Sequence, residues 1–237
     1  VLPSVREDRI FSLSGSLLKA MIRQTSFAVS TNESTPILTG VHWQLQNGSL
    51  RATATDRHRL ASSVAQIGAD PSVQFNDVVI SGRTLNELVK ILPDQDTMVD
   101  IVVDDSQVLF RLENVLFFAR VLDGAYPDTS RIIPQTFKTE FTLPTAAFAD
   151  AIERTYLLSR EEKTNIVRLT TLEDGRIELN SSSSEIGRVT ETLQTSGLTG
   201  EPLRISFNSK YFIDALRVIE ADEIFLGFNG PMSRRII

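Results

Sequence analysis

Thr53-Ala54-Thr55-Asp56-Arg57-His58-Arg59-Leu60-Ala61 joins two strand-like runs in the first half of the chain. Small and β-branched residues open this stretch, charged residues surround a histidine at its centre, and apolar residues close it. On a continuous strand Asp56 and His58 would share a face, because side chains alternate with a period of two. A polar segment between two strands predicts either a sharp corner or a surface that binds something.

The composition limits the classes of protein to consider. The chain has 237 residues, 41% of them hydrophobic, which predicts two domains that each have a core. It has no cysteine, which excludes disulfides and thiolate metal sites and favours a reducing cytoplasm. No apolar run reaches the roughly 18 residues of a membrane span, so no membrane partner is expected. The net charge of −6 argues against a protein that grips nucleic acid over its whole surface.

An internal repeat organises the chain. Phe11-Ser12-Leu13 matches Phe141-Thr142-Leu143, and Thr25 matches Thr155, at a spacing of 130 positions (141 − 11 and 155 − 25). Each copy places a helix after its first strand. The apolar stripe predicted for the second of these helices consists of Phe148, Ala151, Ile152, Tyr156 and Leu157.

A finer repeat lies inside each copy, with the order strand, helix and three strands. Asn47-Gly48 and Asp174-Gly175 separate alternating runs and predict hairpins. Thr84 and Glu87 have the spacing of a capping box at a helix start. The predicted fold is α+β, with repeated β-α-β-β-β modules and antiparallel sheets. The four modules start near Phe11, Val78, Phe141 and Leu203.

Prolines interrupt the pattern between Tyr126 and Lys138 and indicate a domain boundary there. The predicted division is 1–9 as the tail of a preceding domain, 10–133 as one domain and 134–237 as a second domain that lacks its last strand. The sequence begins without methionine, and its final module is short. It is therefore expected to be a fragment of a longer chain.

Catalytic patterns are sparse. His42 and His58 are the only histidines, and Asp56 with His58 could form two members of a Ser-His-Asp relay. A β-rich hydrolase would need a serine, threonine or water within hydrogen-bond reach of His58, and no Gly-x-Ser-x-Gly elbow supplies one. No phosphate loop, EF-hand or His-Glu-x-x-His motif occurs. The sequence predicts no catalytic residue, no metal site and no cofactor.

Basic residues recur at helical spacing, so that they return to one face of each helix. The helix that follows Phe11-Ser12-Leu13 contains no acid at all. These faces are either ordinary solvated surfaces or surfaces that meet a polyanion. The third helix argues against the second interpretation, since Asp150 and Glu153 outnumber Arg154. Dispersed basic faces would favour an adaptor domain without a nucleic-acid partner. The recurring cations are Lys19, Arg23, Arg83, Lys90, Lys210 and Arg217.

Several motifs together resemble the bacterial DNA polymerase III beta subunits, the sliding clamps, and most of all their Gram-positive members. The resemblance covers essentially the whole chain, in order and spacing. The motifs are Thr35-Pro36-Ile37-Leu38-Thr39-Gly40-Val41, Ala54-Thr55-Asp56-Arg57-His58-Arg59-Leu60-Ala61, Leu122-Asp123-Gly124-Ala125-Tyr126-Pro127-Asp128, Phe207-Asn208-Ser209-Lys210-Tyr211 and Phe228-Asn229-Gly230-Pro231-Met232.

The resemblance implies a DNA clamp fold and a head-to-tail dimer of three-domain chains, in which helices line the hole of a ring and sheets form its outer wall. This chain would be the middle and C-terminal domains. The ring would encircle double-stranded DNA without sequence specificity, with the six cations facing it. The protein would be a non-catalytic processivity subunit of DNA polymerase III, a DNA-directed DNA polymerase and nucleotidyltransferase. Its implied partners are a second clamp subunit, the polymerase III alpha subunit, the clamp loader, repair polymerases and other proteins with a clamp-binding motif.

The resemblance also implies a hydrophobic pocket that receives a short peptide from these partners. In this pocket an apolar floor is surrounded by a polar rim. Asp56 and His58 would fix the shape of the corner between the two strands that flank them. Two departures from the family pattern affect this pocket: Thr35 stands where many members have arginine, and the closing final strand is absent. The implied pocket residues are Leu38, Thr55, His58, Arg59, Leu60, Pro127, Arg131, Ile132, Asn208, Tyr211 and Met232.

Overall fold

The computed structural model describes residues 9–161 and 163–230, and the backbone of Arg235–Ile236. The chain forms two compact units, Val1–Pro127 and Asp128–Ile237. The domain boundary expected at 133/134 falls inside the second unit and stays a prediction. None of the described helices is long and apolar enough to cross a membrane.

The first unit consists of two successive β-α-β-β-β modules, as the sequence predicts. A short 3-10 turn at Pro36–Thr39 precedes the second strand. The elements are β1 (Ile10–Ser14), α1 (Gly15–Ser26), β2 (Gly40–Gln46), β3 (Ser49–Thr55), β4 (Leu60–Gln66), β5 (Phe75–Ser81), α2 (Gly82–Val89), β6 (Met98–Val103), β7 (Gln107–Leu112) and β8 (Val115–Arg120).

Within the described residues the second unit repeats this order with two differences: β13, which the sequence analysis missed, is added, and two strands follow α4 where three follow α2. Strand β13 pairs with the edge of β9, through Ser196 and Thr142. The α+β class with antiparallel sheets is confirmed. The elements are β9 (Thr139–Pro144), α3 (Thr145–Glu161), β10 (Ile166–Thr171), β11 (Arg176–Ser183), β12 (Gly187–Gln194), β13 (Ser196–Gly200), β14 (Arg204–Asn208), α4 (Ser209–Leu216), β15 (Glu223–Phe228) and β16 (Arg235–Ile236).

The two modules of each unit exchange their first strands. In the first unit the sheets run β1-β6-β7-β8 and β4-β3-β2-β5, so β1 joins the strands of the second module and β5 joins those of the first. The second unit has the corresponding orders β13-β9-β15-β16 and β12-β11-β10-β14. Neither module can complete its sheet without the other.

The helix that opens each unit follows the predicted repeat down to single hydrogen bonds. Ser14 caps α1, since its hydroxyl accepts a bond from the Leu17 amide at 3.2 Å. Thr25 and Thr155 are fully buried, and each hydroxyl donates to the carbonyl four residues earlier, at 2.8 and 3.0 Å. The spacing of 130 positions therefore relates residues with the same local contacts.

Two details of the helix predictions are wrong. Leu157 is 56% exposed, because it lies outside the buried face of α3, which includes Phe148 and Ile152. Thr84 does not cap α2, which already begins at Gly82 after Ser81. The predicted hairpin at Asn47-Gly48 is confirmed, with φ angles of 49° and 73°.

Candidate peptide-binding corner and cationic helix faces

The stretch from Thr53 to Ala61 is a sharp corner between β3 and β4. The two strands pair up to Thr55 and Leu60, and the four residues between them form the turn. Asp56 and His58 therefore do not share a strand face. The turn contains no glycine, and Arg57 adopts a left-handed backbone with φ of 78°.

Asp56 holds the corner together. Its Oδ1 accepts bonds from the backbone amides of His58 at 2.9 Å and Arg59 at 3.0 Å, and its Oδ2 accepts from Arg59 Nε at 3.3 Å. The carboxylate thus binds backbone and guanidinium groups and does not orient the His58 imidazole. That imidazole is exposed and makes no hydrogen bond within the described ranges. The residues that the structure describes therefore form no Ser-His-Asp relay at this corner.

Arg59 ties the corner to the end of α1. Its guanidinium donates from Nη2 to the Phe27 carbonyl at 2.8 Å and lies 5.4 Å from the centre of the Phe27 ring. The Thr55 hydroxyl donates to the Arg59 carbonyl at 2.7 Å and accepts from the Arg57 amide at 3.2 Å. Thr55 and Arg59, two of the residues implied for the pocket, therefore already make internal bonds, and their contact with a peptide stays a prediction.

The other residues implied for the pocket differ in how much of their side chain is exposed within their own unit. In the first unit Leu38 is buried at 3% exposure, Leu60 is half-buried and Pro127 is exposed. In the second unit Asn208 caps α4, since its Oδ1 accepts from the Lys210 amide at 3.0 Å. Met232 lies outside the described residues. The other members are half-buried or exposed, namely Arg131, Ile132 and Tyr211.

His42 anchors the residues that lead to Pro127. It is 8% exposed, donates from Nε2 to the Asn76 carbonyl at 2.5 Å, and stacks on the Tyr126 ring at a centroid distance of 4.7 Å. Burial lowers the pKa of His42, against smaller opposite effects of the Asn76 bond and the Asp77 charge. Burial also raises the pKa of Tyr126 to about 12. Sequence reasoning missed this pair, because the two residues are far apart in the chain.

The six predicted DNA-facing cations fall into two groups. Lys19 is paired with Asp94, Lys90 with Glu87 at 2.8 Å, and Arg217 with Glu153 of α3 at 3.7 Å. The other three are exposed and make no ion pair with any described residue. They are Arg23 on α1, Arg83 on α2 and Lys210 on α4.

A second set of exposed cations lies on the solvent-facing side of the sheet β12-β11-β10-β14. Arg188 on β12 is opposite Ser182, Arg168 on β10 is opposite Asn180, and Arg204 on β14 is opposite Thr170. All three guanidinium groups are exposed, and none has an ion pair in the part of the chain that the structure describes. The alternation of arginine with buried apolar residues in β10 and β14 was the sequence signal for this face.

Comparison with known proteins identifies the family. A family model described as the DNA polymerase III beta subunit, central domain, matches residues 12–128, and one for the C-terminal domain of the same subunit matches residues 130–237. The beta sliding clamp of Halalkalibacterium halodurans is 49% identical over 233 residues, and that of Bacillus subtilis is 48% identical over 231 residues. Each match covers 98% of this chain and 61% of the relative.

The fold agrees with this assignment. The crystal structure of the DNA polymerase sliding clamp from Bacillus subtilis superimposes with a TM-score of 0.95 at 47% identity, over 99% of this chain and 62% of that chain. The present chain thus spans about 61% of the length of the curated relatives it matches. By sequence over both units and by fold, the chain belongs to the DNA polymerase III beta subunit family, the beta sliding clamps.

Proposed function

We propose that this chain is part of a DNA sliding clamp, a ring that encircles duplex DNA and tethers the replicative polymerase for processive replication. The observation that carries this proposal is family membership over nearly its whole length. In this role the protein makes and breaks no covalent bond. It serves the DNA polymerase III holoenzyme in the cytoplasm as a non-catalytic subunit, together with a second clamp subunit.

The distribution of charge supports this role. A ring holds DNA topologically, so it does not need a basic surface, and a net charge of −6 is compatible with it. Each cation bound to a phosphate adds a salt-dependent contact, and a protein that slides is served by few of them. We assign these contacts first to Arg23, Arg83 and Lys210, which are exposed and form no ion pair with a described residue. Lys19, Lys90 and Arg217 take part after their carboxylates are displaced.

We further propose that the corner between β3 and β4 docks a short peptide of the polymerase III alpha subunit, the clamp loader and repair polymerases. Leu60 supports this assignment, because it is a half-buried leucine beside an exposed, rigidly held turn. In the second unit Tyr211 offers a half-buried aromatic ring. Side chains of this kind anchor peptides when their remaining surface becomes covered.

Peptide binding tests this function directly. The probe is a fluorescent pentapeptide with leucine and phenylalanine anchors, and its affinity is measured by fluorescence polarisation. Leu60→Ala and Tyr211→Ala should each weaken binding roughly tenfold, because each removes an anchor contact. Val64→Ala is the matched control, since Val64 lies on the same strand β4, is 47% exposed and belongs to no assigned site. Equal affinities for all four proteins would refute the pocket assignment.

A further inference from the structure

We propose that Arg57 selects peptides that carry an acidic side chain. Arg57 is outside the set of pocket residues that the family resemblance supplies, and its assignment rests on the proposed peptide-binding role of the corner. Three independent features of the structure support it: the backbone of Arg57, the charge balance of the corner, and the direction of the side chain.

The backbone of Arg57 is strained. With φ of 78° it occupies the left-handed region, which glycine adopts without cost and a long side chain does not. The surrounding bonds hold it there, since the Thr55 hydroxyl accepts from the Arg57 amide at 3.2 Å and Asp56 holds the next two amides. Glycine would make the same turn more easily. Strain retained at an exposed turn points to a use for the side chain itself.

The charge balance leaves one guanidinium available. Asp56 is the acid of this corner, and Arg59 engages it while also bonding to the Phe27 carbonyl. Arg57 is exposed and has no ion pair with any residue in the described ranges. The free positive charge of the corner therefore belongs to Arg57 and not to Arg59.

The side chain of Arg57 points along the proposed peptide-binding surface. Its Nη2 donates to Thr35 Oγ1 at 3.4 Å, a long and therefore weak bond that a stronger acceptor can replace. Thr35 precedes the 3-10 turn Pro36–Thr39, which contains the assigned pocket residue Leu38. A guanidinium presents parallel N–H groups that match a carboxylate. An aspartate or glutamate of a peptide anchored at Leu60 is the ligand that this geometry fits.

The test compares two pentapeptides that have the same leucine and phenylalanine anchors, one with aspartate and one with asparagine at the intervening position. The unaltered chain should bind the aspartate peptide about two- to fivefold more tightly, and added NaCl should reduce this preference. Arg57→Gly and Arg57→Asn should abolish the preference while they keep binding of the asparagine peptide. Neither should lower the melting temperature, because glycine and asparagine tolerate a left-handed backbone.

Arg51→Gln is the matched control, because Arg51 is an exposed arginine on β3 and its loss changes the net charge equally. It should leave the preference for aspartate intact. Equal binding of both peptides by the unaltered chain, or an equal effect of Arg51→Gln, would overturn the assignment of Arg57 alone. If neither peptide binds, the proposed pocket fails as well. If both peptides bind equally and Leu60→Ala weakens both, the pocket stands and the assignment of Arg57 alone fails.

Discussion

Among single residues, His42 makes the stability of the first unit depend on pH. Burial lowers its pKa in the folded chain, whereas in the unfolded chain it titrates near its usual value of about 6.5. At a pH between these two pKa values, the histidine is largely protonated in the unfolded chain and largely neutral in the folded chain. The stabilisation is therefore complete above about pH 6.5 and is lost progressively as the pH falls towards the lower, folded pKa.

We expect the free energy of unfolding in urea to decrease between pH 7.5 and pH 5.5 by up to about 1.4 kcal/mol, because below pH 6.5 one histidine contributes a slope of at most about 1.4 kcal/mol per pH unit. His42→Phe keeps a ring against Tyr126 and removes the titrating group, so its curve should be flatter over this range. His58→Phe is the control, since it removes the other histidine, whose ring is exposed. Parallel curves for all three chains would contradict this origin of the pH dependence.

The corner also shows what the sequence reveals at the scale of residues. Asp56 was assigned to the shape of the corner, and its bonds to two amides support that assignment. Arg57 was overlooked, although a tight turn without glycine or asparagine between two strands has to place some other residue in the left-handed region. Which residue takes this conformation depends on the bonds of Thr55 and Asp56, and residue preferences alone do not encode it.

At the scale of elements, the loop after α2 covers the start of α1. Asp96 accepts a bond from Ser16 at 3.0 Å, and the Gly15 amide donates to the Thr97 carbonyl at 2.8 Å. Pro93 packs so closely on Gly15 that a Cβ there would lie 2.6 Å from its ring. The docked loop brings Asp94 to Lys19, whose side chain is only 14% exposed. A helix without acids in its own sequence thus acquires one from another module.

We expect Asp94 to weaken the proposed contact of α1 with DNA. The hydrogen bond from Lys19 holds the pKa of Asp94 below its usual range, so the carboxylate stays charged at neutral pH and competes with phosphate. Asp94→Asn should raise duplex affinity at low salt about two- to fivefold and steepen the logarithmic salt dependence by up to about 0.9. The affinity can be measured by fluorescence anisotropy with a labelled duplex.

The control for this substitution lies in the same loop. Asp96→Asn changes the net charge equally but releases Ser16 and no cation. An equal gain for both variants would attribute the effect to overall charge. In a Lys19→Gln background Asp94→Asn should have a smaller effect, and an unchanged effect would exclude Lys19 as the group that Asp94 masks.

Local sequence patterns predicted the helices and strands better than they predicted which strands pair with each other. The module order and the Asn47-Gly48 hairpin follow from periodicity and turn residues, and the structure confirms both. The exchange of β1 and β5 between modules could not be predicted from these patterns. Each strand buries the same apolar face whether it pairs within its own module or with the other one. β13 was missed for a similar reason, since Ser196–Gly200 has little apolar alternation and is a strand through its pairing with β9.

At the scale of the whole molecule, the proposed DNA binding combines a net charge of −6 with a small number of exposed helix cations. If only Arg23, Arg83 and Lys210 meet phosphates, the slope of log affinity against log salt should be no steeper than about −3, at about −0.9 for each contact. Replacing all three by glutamine should remove the salt dependence. Anisotropy titrations of a labelled duplex over a range of NaCl concentrations measure both quantities.

The solvent-facing side of the sheet β12-β11-β10-β14 supplies the control for this prediction. Arg168, Arg188 and Arg204 are also exposed and unpaired within the described residues, so their replacement by glutamine removes the same charge from a different surface. The salt slope should then stay unchanged. A loss of slope with this triple variant, and none with the helix variant, would place the duplex on the sheets.

The exchange of first strands has a consequence for synthesis on the ribosome. Ser12 on β1 bonds to Asp100 on β6 at 2.6 Å, 88 positions later in the chain. β1, the first described strand of this unit, therefore stays unpaired with β6 until most of the unit has left the exit tunnel, and long-range pairing of this kind is slow. Until β6 appears, β1 exposes an unpaired edge to other nascent chains. Chaperone occupancy of ribosomes should thus be highest before residue Val103, the end of β6, has emerged.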